Sequence, residues 1–268
     1  MDNKLIIVEG LPCTGKSATS KHIMEFLKQS RGKNIYVDEG TGNHPSDYEF
    51  HAYISDKNIT SLQTALQGKI KQYAEKALDG FIFPLKLAGD DFEKLISYKI
   101  YDFLPWEDEM PVMLHGWKRF VETRDKETTY VFNCCALQNA MCETMIRFNF
   151  SMKKSRDYLS HIFKIVEEMN PLVIYLQCDN VEERIKNISK ERNAQWLESV
   201  IDYHCNGNYG KSRNLKGFSG YIKCLEDRQK RELEILNTLS VDKLVIETPY
   251  DDWYAAYEKI HSRLQHTL

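Results

Sequence analysis

Leu5-Ile6-Ile7-Val8-Glu9-Gly10-Leu11-Pro12-Cys13-Thr14-Gly15-Lys16-Ser17 is the stretch that decides the fold. Its first four residues form a short apolar run rich in β-branched side chains, the pattern of a strand buried on both faces. From Gly10 onward the residues fit G-x-x-x-x-G-K-[ST] at every fixed position. Glycines at those places let the backbone wrap a phosphate, and the helix that follows adds the positive end of its dipole. The predicted phosphate contacts are Gly10, Pro12, Cys13, Thr14, Gly15, Lys16, Ser17 and Ala18, with Lys16 reaching the β- and γ-phosphates and the Ser17 hydroxyl binding Mg²⁺. Ile23, Phe26 and Leu27 fall at helical spacing just behind, so strand, loop and helix stand in the order that this chemistry needs.

Further strands are expected at 34–37, 129–132, 171–176 and 243–246, each a short apolar run set between helical stretches. Five such strands separated by helices imply a parallel sheet covered on both faces, a three-layer α/β/α arrangement. Residues from about 40 to 126 are too long for an ordinary connection and read as a mostly helical insertion. The chain has 268 residues, with Lys+Arg 36 against Asp+Glu 39, a net charge of −3. That balance disfavours general nucleic-acid binding, which wants a basic surface. No apolar run of about 18 residues predicts a membrane span. Seven cysteines without a Cys-x-x-Cys pair argue against zinc and disulfide frameworks. The start lacks the apolar region of a signal peptide, so a cytoplasmic location with reduced thiols is expected.

Two other nucleotide-binding classes fit poorly. The Asn-Lys-x-Asp run of guanine-specific GTPases is replaced by Gln177-Cys178-Asp179-Asn180, and Val37-Asp38 follows the loop too closely for the acidic strand of a motor ATPase. The chain instead resembles small-molecule kinases of the nucleoside and nucleotide kinase superfamily: the deoxynucleoside, thymidylate and adenylate kinases and small antibiotic phosphotransferases. The resemblance covers most of the chain in element order and is most specific at residues 5–17, then at 35–39 and 172–192. It implies a single P-loop domain with a five-stranded parallel sheet, a substrate cover after the second strand and a lid after the fourth, at about 184–220. It also implies ATP and Mg²⁺ as cofactors, transfer of the γ-phosphoryl to a hydroxyl of a small acceptor, and adenine near Thr248. A carboxylate at the end of the second strand then orients or deprotonates the acceptor. Asp38 and Glu39 stand there. Neighbouring strand residues point to opposite faces, so Glu39 is the expected base and Asp38 the partner of Mg²⁺ or of its water. His44, Asp47 and His51 either line an acceptor pocket or are loop polars.

The third strand ends Phe132-Asn133-Cys134-Cys135, with Asn133 where the family places an acid. An amide is a weaker ligand for a hard cation. Three readings remain: Ser17 and water hold the metal alone, an acid comes from elsewhere, or nucleotide is bound with slow turnover. From Arg184 to Arg231, eleven bases face five acids, a net +6, where a lid would close on a transferring phosphoryl group. Arg192, Lys190 and Arg184 are the candidates there, against the bland reading of a solvated helix face. From Asp90 to Glu109, seven acids face two bases, which would suit a neutral or cationic acceptor. The alternatives are a regulatory nucleotide-binding protein with slow hydrolysis and a kinase of a nucleotide or nucleic-acid end. Acceptor and oligomeric state are not legible in the residues.

Overall fold

The computed structural model describes residues 2–29 and 32–265. The chain begins β1 (Leu5–Gly10), α1 (Lys16–Leu27) and β2 (Lys33–Val37). The insertion follows as β3 (His51–Ser55), α2 (Asp56–Ile59), α3 (Thr64–Tyr73), β4 (Glu75–Ala77), β5 (Gly80–Pro84), α4 (Phe92–Leu95), α5 (Ile100–Phe103) and α6 (Trp106–Thr123). Then come β6 (Thr128–Asn133), α7 (Leu137–Met141), α8 (Met152–Ile165), β7 (Leu172–Gln177), α9 (Val181–Ser189), α10 (Ala194–Asn206), α11 (Asn208–Ser212), α12 (Gly217–Thr238), β8 (Asp242–Glu247) and α13 (Trp253–Gln265). Two compact units result: one from residues up to Glu39 and from Asp125 onward, the other from Gly40–Arg124.

The first unit is the expected α/β/α fold. Its five strands are parallel in the order β2-β6-β1-β7-β8, with β1 at the centre. All six residues of β1 are buried, as a strand covered on both faces must be. Ile6, Val8, Val131, Ile174 and Ile246 point to one face and meet Ile23, Met24 and Leu27 of α1 and Ala256, Ile260 and Leu264 of α13. Each such side chain contributes roughly 1.5–3 kcal/mol on burial. On the other face Tyr175 of β7 hydrogen-bonds Glu232 of α12. No helix among the described residues is long and apolar enough to cross a membrane.

The second unit departs from the mostly helical expectation. It holds a three-stranded antiparallel sheet in the order β3-β5-β4. The α3 helix ends at Tyr73, and a hairpin then turns at Leu78, which takes a positive φ of 53°. Ala52, Ile54 and Phe83 of this sheet pack against Leu66 and Ile70 of α3 in a core of its own. Residues 206–220, though rich in Gly and Asn, are largely helical. The α10 helix ends at Asn206, α11 follows at once, and α12 begins at Gly217.

Candidate functional site

The residues between β1 and α1 make a tight loop because glycine stands where other side chains cannot. Gly10 has φ 144°, and a Cβ there would meet the Leu176 carbonyl oxygen at 2.6 Å. Gly15 has φ 96°, and a Cβ there would meet the Trp253 ring at 2.4 Å. Thr14 Oγ1 donates to the Leu11 carbonyl at 2.9 Å. Lys16 is 6% exposed, and its Nζ donates to the carbonyl oxygens of Gly10 at 3.2 Å and Leu11 at 3.1 Å. The ammonium group is thus folded back over its own loop, at the head of α1.

A cavity of about 650 Å³ opens on this loop. Pro12, Cys13, Gly15, Lys16, Ser17 and Ala18 line one side, and Glu39, Gln138, Arg184 and Arg192 line it as well. Gly10 and Thr14 shape the loop from behind. The carboxylates after β2 separate as neighbouring residues should. Glu39 accepts hydrogen bonds from Gln138 Nε2 and Cys134 Sγ, both at 2.8 Å. Asp38 accepts from Asn133 Nδ2 at 2.7 Å, and the same amide donates to Ser17 Oγ at 3.0 Å. Burial pushes the Asp38 carboxyl up, but hydrogen bonds, that from Asn133 foremost, outweigh it and hold the group below the usual range. Asp38 thus reaches the Ser17 neighbourhood through the Asn133 amide.

These residues fit a phosphate chain with Mg²⁺. Ser17 offers a hydroxyl, Asp38 an ionised carboxylate, and the buried Oδ1 of Asn133 has no hydrogen-bond partner. A magnesium ion asks for one or two protein oxygens besides phosphate and water. Bound there it would neutralise phosphate charge.

The basic candidates divide. Arg184 Nε donates to the Cys13 carbonyl at 2.8 Å and its guanidinium lies 5.0 Å from the Tyr250 ring, so it is pinned to the loop. Arg192 lies over Trp196 at 4.6 Å and lines the cavity. Lys190 is exposed, bonded to Asn187 at 3.2 Å, and does not line the cavity. Thr248 sits in the turn after β8 with φ 41°, its carbonyl accepting from Asp251 N at 3.0 Å, and does not line the cavity either. Within the insertion, Asp47 and His44 lie in the loop before β3 but are buried, and burial pushes Asp47 up to about 6 and His44 down to about 3. Its acidic stretch is partly neutralised by its own lysines, Asp91 with Lys94 and Asp102 with Lys99, each at 2.7 Å.

Glu9 was not singled out in the sequence, although a charge inside an apolar strand run was the signal. It is fully buried and accepts backbone N–H bonds from Ala136 and Leu137 at 2.8 Å and from Gln138 at 3.2 Å, fixing the start of α7. Burial, and then the Glu232 carboxylate, push Glu9 up to about 7. Arg228 and Glu232 form a buried i,i+4 pair at 2.6 Å, while Asp227 pairs with Lys223 at 2.9 Å. Trp253, at the start of α13, was not singled out in the sequence either.

The strand order with the loop on the central strand defines a P-loop α/β/α nucleotide-binding fold. The family described as "Chromatin associated protein KTI12" matches residues 4–78, which include the loop. No curated protein matches the chain. Among solved structures, the chain is similar to a deoxyadenosine kinase from M. mycoides bound to its products dCMP and a flexible dCDP, at 14% identity and a TM-score of 0.45, covering 98% of this chain and all of that one. It is also similar to the YorR protein of Bacillus subtilis in complex with phosphorylated GDP, at 13% identity and a TM-score of 0.41, covering 98% of each chain. Both scores are low, and neither likeness adds to what the site's own geometry says.

Proposed function

We propose that the chain is an ATP- and Mg²⁺-dependent phosphotransferase that moves the γ-phosphoryl group to a hydroxyl of a small acceptor. The observation that carries this reading is Glu39. It lines the same cavity as Lys16 and Ser17 and is held there from two sides by Gln138 and Cys134. A carboxylate so placed can take the proton of an acceptor hydroxyl while Lys16 and the loop amides hold the phosphates. Asp38 is the partner of the metal or its water. Arg192, on the open side, stabilises charge on the transferring group, with Arg184 fixing the loop and Lys190 at the rim of a lid.

A second reading comes from the matching family's name. A chromatin associated protein could use the loop to bind nucleotide without an acceptor. Incubation with ATP·Mg²⁺ and a panel of nucleosides, nucleotides and aminoglycosides separates the two. Acceptor-dependent ADP release supports the kinase; ADP release that no acceptor raises supports the alternative. Lys16→Ala should abolish ATP binding. Glu39→Gln should keep it and slow transfer by about 10²–10⁴-fold.

A further inference from the structure

The cavity continues past the phosphate loop to a second wall. Trp196, Val200, Tyr203 and His204 follow one another at helical spacing along α10 and line it, together with Cys142 and Arg228. Cys142 opens a π-helical stretch, Cys142–Arg147, directly after α7. Such wide turns are uncommon and tend to occur at functional sites.

This wall holds unmatched hydrogen-bonding atoms. Arg228 is 1% exposed; its Nε donates to Glu232 at 2.6 Å, its Nη1 lies 3.9 Å from Cys142 Sγ, and its Nη2 is buried without a partner. His204 is 5% exposed, and its Nδ1 lies 2.7 Å from the Val200 carbonyl oxygen. A carbonyl only accepts, so Nδ1 carries the proton and Nε2 is a bare acceptor. That Nε2 is also buried without a partner, as is the hydroxyl of Tyr221, whose ring meets His204 edge-on at 4.9 Å between centroids. A buried donor or acceptor left unmatched costs about 1–3 kcal/mol, so a cavity wall that carries two of them, on Arg228 and His204, holds them for something.

We propose that this wall is a recognition subsite for the acceptor, taking an uncharged planar group with an amide- or lactam-type edge, which accepts a hydrogen bond from Arg228 and donates one to His204. The inference rests on the phosphotransferase reading. The charge argument excludes an anion: the Arg228 guanidinium is already matched by Glu232. Trp196 and Tyr203 supply aromatic surface for the flat face. The acceptor is thereby recognised by α10 and α12.

Saturation-transfer NMR on the full chain tests this with two probes, uracil and its N,N-dimethyl derivative, which lacks the N–H donor. Uracil should bind, and the dimethyl compound should bind about tenfold more weakly or not at all. His204→Phe should remove that preference, and His204→Gln, which keeps an acceptor, should restore it. Benzoate should not compete. Failure of the wild type to bind uracil, equal binding of the two probes, or an unchanged preference in a His204→Phe variant that still binds ATP would each overturn the subsite. ATP binding, followed in the same samples, reports on the phosphate loop separately. A chain that binds uracil as described but shows no acceptor-dependent ADP release refutes the kinase reading while leaving this wall as a binding site.

Discussion

Asn133 Nδ2 lies between two oxygens, the Ser17 hydroxyl and the Asp38 carboxylate, and binds both. Without a metal this amide does by hydrogen bonding what a cation does by charge: it holds two oxygens together. Replacing it by a carboxylate removes the donor and sets like charges side by side. Asn133→Asp should therefore lower stability without Mg²⁺ by about 1–3 kcal/mol. Mg²⁺ with ATP should recover much of that loss. The urea midpoint with and without Mg²⁺ checks this, and a midpoint indifferent to Mg²⁺ would remove Asp38 from the metal's surroundings. The sequence alone marked residue 133 as the departure from the expected acid. It also separated Asp38 from Glu39 by strand alternation. It could not show that the Asp38 side chain crosses from β2 to meet Asn133 on β6, because that depends on a pairing between strands 91 residues or more apart in the register Val37↔Phe132.

At the scale of elements, Glu9 ties the end of β1 to the first turn of α7, which carries Gln138 and through it Glu39. The carboxyl is raised from 4.5 to about 7. Above pH 4.5 the unfolded chain gives up this proton while the folded chain keeps it, so folding binds protons across that window. Stability from this group thus falls as pH rises from about 4.5 to 7 and changes little beyond, by an upper bound of about 3 kcal/mol. Thermal unfolding between pH 4.5 and 8 should show this slope, and Glu9→Gln should flatten it. The parallel strands were legible because each is a solid apolar run. The hairpin of the insertion was not. Glu75-Lys76-Ala77 has no apolar alternation, and its strand character comes only from pairing with Gly80–Pro84. The α10 helix was missed for a related reason. Trp196 and Tyr203 line a cavity, and Leu197, Val200 and Ile201 are only partly buried against a core, so the usual stripe of buried aliphatic residues is thin.

For the whole molecule, two compact units share one chain, and the phosphate loop belongs wholly to the one built on the parallel sheet. A non-hydrolysable ATP analogue at about 100 times its Kd should add about 2.7 kcal/mol to the stability of that unit. Hydrogen exchange should show the gain in the amides of 5–29 and 128–247, and Lys16→Ala should erase it. The loop's own packing joins distant parts of the sequence. Gly15 is covered by the ring of Trp253, 238 residues further along the sequence. A chain cut before β8 would keep the full phosphate motif but lose both the indole that packs against it and the edge strand of the sheet.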